Sequence, residues 1–179
     1  FGAAFNNFFL IYVALVDLAL LALIFGLAKM DASRWAKAFR DRTPVKWIAG
    51  YMMVTALALT ALYTAWSLQF VSTGEVPEIV TNTGHLTSIV FALDLTLVVP
   101  WFILGAVWLW RRKPWGFLIA TIVNVKGAVY MLALTFVTLS AARAGAVESA
   151  AEATPWVIIG LGSLVASLFL LGNVRPARD

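Results

Sequence analysis

Cysteine is absent from the 179 residues. That excludes disulfides and thiolate metal sites, and it leaves the redox compartment open. Charge is scarce: Asp, Glu, Lys and Arg make up 12% of the chain, where soluble domains carry about 25%. Histidine occurs once, at His85, too few for a bis-histidine haem. There is no His-Glu-x-x-His, no Gly-x-Ser-x-Gly, no Walker sequence and no dinucleotide-binding glycine pattern. Period-two alternation is missing as well, which argues against a β-barrel. No basic stretch with a cleavage site opens the chain, so no signal peptide is read.

What the chain has instead is apolar length. Hydrophobic residues make up 62% and the mean hydropathy is +0.90. A helix needs about 20 mostly apolar residues to cross the hydrocarbon core. Five stretches qualify: 8–28, 47–70, 89–110, 115–140 and 156–174. The expected fold is all-α, a transmembrane bundle of five spans forming a single domain over residues 1–179. Within the loop after the first span, 31–42 reads as a short interfacial helix. Trp35 and Phe39 share one face of it at i, i+4, with Arg34, Lys37 and Arg42 around the rest. Pro44 ends it and leads into the second span.

Net charge is +4, but the basic residues flank apolar runs and form no stripe, so nucleic acid is not an expected partner. Eleven of the thirteen fall on one side of a five-span arrangement: Lys29, Arg34, Lys37, Arg40, Arg42, Lys46, Arg111, Arg112, Lys113, Arg175 and Arg178. The positive-inside rule assigns that side to the cytoplasm. Phe1 is then expected outside and Asp179 inside, in a prokaryotic inner membrane. An odd span count with an external start fits a chain that is the C-terminal part of a longer protein. Trp108, Trp110 and Trp115 stand where an aromatic belt belongs. The tight Arg111–Pro114 turn makes the third and fourth spans antiparallel neighbours. The loop 71–88 has no helical period apart from a turn at 77–80, and 141–155 is small and polar.

Three charges interrupt the apolar runs: Asp17, Asp94 and Lys126. At about 1.5 Å per residue, Asp94 lies about 8 Å and Asp17 about 13 Å below the outer edge, with Lys126 near mid-membrane at about 21 Å. An ammonium facing hydrocarbon costs about 2.5–3.5 kcal/mol on insertion scales. Lys126 is therefore expected to be buried and paired with Asp94, with Asp17 as second acid and Tyr130, at i+4, as a hydrogen-bond partner. One reading of this cluster is a buried ion pair that fixes helix register. The other is a proton or ion relay, or a polar pocket. Pro100 is expected to kink the third span and free the Thr96 carbonyl. Gly162, Ser163, Ala166 and Ser167 give the fifth span a small-residue packing face, and Asn124 is expected to bond a neighbouring helix. No cofactor is expected. His85, in the external loop, is the residue that could in principle ligate a pigment or share a metal site.

Several blocks carry a resemblance: FNNFFLIYVAL at 5–15, RTPVKWIAGY at 42–51, TGHLTSIVFALDLTLVVP at 83–100, WRRKPWGFLIA at 110–120 and VKGA at 125–128. Through them the chain resembles the C-terminal part of a group of prokaryotic multi-pass integral membrane proteins whose activity is uncharacterised. The resemblance implies that Asp94 and Lys126 recur in the group and that about three further spans precede the opening motif. Asp17 departs from the pattern, where a neutral residue is expected, and His85 is individual. No activity comes with the resemblance. The function expected is a structural or accessory subunit of a membrane assembly, with other membrane subunits as partners beside the lipid bilayer. The alternatives are a small transporter or proton-linked carrier using Asp17, Asp94, Lys126 and Tyr130, and a lipid-directed enzyme.

Overall fold

The computed structural model describes residues 9–81, 89–145 and 149–175. It is helical nearly throughout. The elements in order are α1 (Phe9–Lys29), α2 (Ala32–Ala38), α3 (Val45–Thr73), α4 (Glu78–Thr81), α5 (Ile89–Leu93), a π-helical turn (Asp94–Val98), α6 (Val99–Trp110), α7 (Pro114–Arg143), a 3-10 turn (Ala150–Ala153) and α8 (Thr154–Gly172). α5, the π turn and α6 continue one another as a single span. Four helices are long and apolar enough to cross a membrane: α3, the composite span, α7, and α8 with its leading 3-10 turn. A fifth is reached when α1 and α2 count as one broken span. This is the all-α bundle of about five spans expected from the apolar runs, and the chain is an integral membrane protein.

The bundle is built around α7. α6 and α8 pack along α7, α3 packs on α6, and α2 closes against α7 at one end. Ile48, Met52, Leu109, Leu118 and Leu170 are completely or almost completely buried between these helices. The α6–α7 turn is as tight as the sequence requires. Lys113 N–H reaches back to the Trp108 carbonyl at 2.8 Å. A Cβ at Gly116 would run into the backbone of Trp108 and Leu109, so only glycine lets α7 start that close to the end of α6. A second close approach lies at Gly162 on α8, where a Cβ would land on the Tyr51 ring. There the small-residue face packs as expected, with Ser163, Ala166 and Ser167 buried.

α2 is shorter than the stretch 31–42 suggested. Asp31 caps it, its Oδ1 accepting from Ser33 N–H at 2.9 Å and Arg34 N–H at 3.0 Å. It stops at Ala38 because the following backbone is claimed by the segment after α8. Arg40 N–H donates to the Asn173 carbonyl and Arg175 N–H to the Ala38 carbonyl, forming an isolated antiparallel bridge between Phe39 and Val174. The shared face holds: Trp35 lies edge-on to Phe39, which buries itself against Phe117 with ring centroids 4.8 Å apart. Three basic connections therefore meet at one end of the bundle. Arg112 donates to the Asp41 carbonyl at 2.9 Å and Arg175 pairs with the Asp41 carboxylate at 3.9 Å.

At the opposite end α3 outlasts its apolar run. It closes at Gly74, whose φ of 73° is the left-handed helix terminator. The turn expected at 77–80 is the short helix α4. The 3-10 turn before α8 opens on a capping box between Ser149 and Glu152.

α1 stands apart. It turns 76° from α2 at Met30–Asp31 and packs against none of α3, α6, α7 or α8 to any extent. Its described side chains are exposed along the whole helix except Val13 and Leu27, which are partly covered.

Candidate functional site

The polar cluster in the spans forms around Asp94, with different partners from those expected. Asp94 opens the π turn, where Val99 N–H donates to the Asp94 carbonyl five residues back. Pro100 has no N–H to give. The disruption expected at Thr96 is taken up just upstream, as a turn widened by one residue. Widening the helix there turns the Asp94 carboxylate toward α3. The Tyr63 hydroxyl donates to Asp94 Oδ2 at 2.7 Å. Tyr63 is buried, and its ring is stacked on Phe91 at 4.6 Å; Trp66 is also stacked on Phe91 at 5.2 Å and lies 6.1 Å from Tyr63. The carboxylate thus sits at the rim of an aromatic wall that joins α3 to α5.

Lys126 is placed near Asp94 but is neither buried nor paired with it, which corrects the expected ion pair. Asp94 is half-buried and Lys126 exposed. Among the described residues the ion pair closer than 4 Å is Arg175–Asp41. The two charged groups stay more than 4 Å apart. Register explains the gap. Asp94 lies sixteen residues from the end of its span at Trp110, and Lys126 twelve from the start of α7 at Pro114. The two are about one helical turn apart in height, roughly 24 Å and 18 Å from the basic end. Tyr130, one turn beyond Lys126, is level with Asp94. The Lys126 ammonium instead lies over the Tyr130 ring, 5.4 Å from its centroid, a cation–π contact.

The remaining candidates fall elsewhere. Asp17 is exposed on α1 and does not join the cluster, because α1 does not pack beside it. His85 lies outside the described residues. Asn124 is fully buried, but its amide donates to Ala120 of its own helix at 2.8 Å. Among the described residues the expected interhelical bond is not made, and Asn124 Oδ1 has no partner. Among the described residues no three His, Asp or Glu side chains gather as a metal site.

Two polar tyrosines escaped the sequence reading. Besides Tyr63, the Tyr51 hydroxyl donates to the Ile159 carbonyl at 2.7 Å and meets Ser163 Oγ at 2.8 Å, tying α3 to α8. A tyrosine flanked by apolar residues looks like any belt aromatic. The usable signal for Tyr63 is its position: it lies eighteen residues into α3 and ten from its end, inside the apolar run and not at its edge.

Two open surface pockets lie at the basic end. One is lined by Met30, Asp31, Arg34, Trp35 and Ala38. The other is lined by Arg42, Pro44, Leu168, Phe169, Gly172 and Asn173. Neither reaches Asp94, Tyr130 or Lys126. The arrangement can therefore do two things chemically. It locks α3 to the π turn through a hydroxyl–carboxylate bond, and it presents an exposed cation at mid-span with a half-covered acid about one turn farther from the basic end.

Comparison with known proteins adds no relative: no family model, no curated protein and no solved structure matches the chain.

Proposed function

We propose that the chain is a structural or accessory subunit of a membrane assembly, seated in a prokaryotic inner membrane with its basic end in the cytoplasm. The orientation follows from the basic residues gathered at one end. The subunit reading rests on one observation, the exposure of Lys126 on the outer face of α7. An uncovered ammonium at that depth costs about 2.5–3.5 kcal/mol or more, and intramembrane cations face protein or water, not lipid tails. No pocket described above brings water to it. We read a neighbouring polypeptide as its cover. In this role the Tyr63–Asp94 bond holds α3 and the composite span in register, and the Lys126–Tyr130 face receives the partner.

The experiment is site-specific photo-crosslinking with a benzophenone amino acid at Val129. That residue is one turn from Lys126 and 66% exposed, so the native charges stay in place. In intact membranes the expected adduct is to polypeptide. Adducts to lipid alone would refute the subunit reading.

A second reading, a small proton-linked carrier, is favoured by the π turn at Asp94, because such turns recur at functional sites. It requires water at the cluster. Rapid labelling of a cysteine placed at Tyr130 by a charged aqueous thiol reagent supports it, and protection from that reagent refutes it.

A further inference from the structure

The subunit reading leaves open what covers Lys126. We infer that a second copy of this chain does so, laying its α1 antiparallel along α7 and bringing its Asp17 to Lys126.

The inference starts from α1 itself. Its 21 residues extend about 31 Å, enough to cross the hydrocarbon core. It leaves the bundle at a 76° bend from α2, while α2 is anchored on α7. Among the described residues α1 packs on none of the other spans to any extent. It carries one charge in its interior, Asp17, which is exposed and makes no hydrogen bond or ion pair with the described residues. Among the described residues the bundle carries one cation inside a span, Lys126, which is exposed and lies over the Tyr130 ring. Each charge, left alone in hydrocarbon, is costly, and together they are complementary.

Their heights agree. Asp17 lies twelve residues before the end of α1 at Lys29, and Lys126 lies twelve residues after the start of α7 at Pro114. Both are about 18 Å from the basic end. Two copies related by a two-fold axis along the membrane normal keep every residue at its own depth. Matching heights in one chain are therefore matching heights across the interface. Such an exchange is closed: each α1 covers the other copy's α7, and two equivalent Asp17–Lys126 contacts form. The flanking surface suits an apolar helix. Val129, Phe136 and Val137 on α7 are 66%, 62% and 64% exposed.

The absence of cysteine makes the test clean. Antiparallel alignment on the two charges sets Ala14 opposite Val129, each three residues toward the far end, so both charges stay native. Full-length Ala14→Cys and Val129→Cys chains with different tags are co-expressed and oxidised in the membrane. The expected product is a covalent dimer carrying both tags, since a disulfide needs Cα atoms within about 7 Å. Adding Asp17→Asn is expected to lower its yield by about tenfold, the factor produced by about 1.4 kcal/mol of lost pairing. The exchange Asp17→Lys with Lys126→Asp is expected to restore it. Three results overturn the proposal: no mixed dimer; a link formed only within one chain carrying both cysteines, which places α1 on its own α7; or a mixed dimer indifferent to both charge changes. If the mixed dimer is missing while the Val129 photo-adduct is still protein, the second copy is wrong and the subunit reading stands. If that adduct is lipid, both fall.

Discussion

Replacing Tyr63 by phenylalanine deletes one oxygen and leaves the ring. The stack on Phe91, with centroids 4.6 Å apart, is preserved, so the change isolates the 2.7 Å hydroxyl–carboxylate bond to Asp94. A hydrogen bond to a charged group contributes about 1.5–3 kcal/mol in soluble proteins. In membrane proteins, double-mutant cycles average about 0.6 and reach about 1.7 kcal/mol. Asp94 is only half-buried, which discounts the charged-group figure, so the expected coupling is about 1 kcal/mol. It is measured as a cycle of wild type, Tyr63→Phe, Asp94→Asn and the double variant, by reversible unfolding in mixed detergent micelles. The cycle is needed because each single change also alters the solvation of the group left behind. Tyr63→Ala in the same assay removes the ring from the aromatic wall and should cost about 3–5 kcal/mol. A coupling indistinguishable from zero, with Tyr63→Phe as stable as wild type, would refute the claim that this bond fixes α3 against the π turn.

The other predictions concern different links in the account. Lys126→Leu is expected to be neutral or stabilising in the isolated monomer, because it removes an exposed mid-span charge worth about 2.5–3.5 kcal/mol on insertion scales, and to weaken assembly in the bilayer. A strong loss of monomer stability would show that the lysine is paired inside its own bundle. Gly116→Ala forces a methyl group into the Trp108–Leu109 backbone and should cost about 1–3 kcal/mol, typical of overpacking, seen as a lower unfolding midpoint. Arg175→Ala breaks a 3.9 Å pair between largely exposed side chains and should change stability by less than about 1 kcal/mol. A larger effect would mean that the tail's backbone bridge depends on that ion pair.

The spans were legible because a bilayer demands continuous apolar length, and lengths are read directly from sequence. The Trp35–Phe39 face was legible from helical spacing, and the tight α6–α7 turn from the brevity of the Arg111–Pro114 link. Which face of each helix meets protein was not, since lipid-facing and protein-facing residues in a membrane are both apolar and leave little amphipathic signature. That is why α1 could be expected beside the cluster when, among the described residues, it packs on none of the other spans to any extent. The Lys126–Asp94 pair was expected on opposite charge, and the two residues do lie near each other. A difference of one helical turn in height, together with a tyrosine thirty-one residues before Asp94, decided the actual partner. Pro100 announced a disturbed helix, but periodicity alone does not distinguish a kink from a widened turn.

The central claim is that protein covers the outer face of α7 around Lys126. A nitroxide spin label at Val129, with the native lysine retained, tests it most directly through relaxation by oxygen and by a water-soluble nickel chelate in reconstituted bilayers. The account predicts low accessibility to both agents. High oxygen accessibility with nickel excluded would mean that the face meets lipid, and would contradict it.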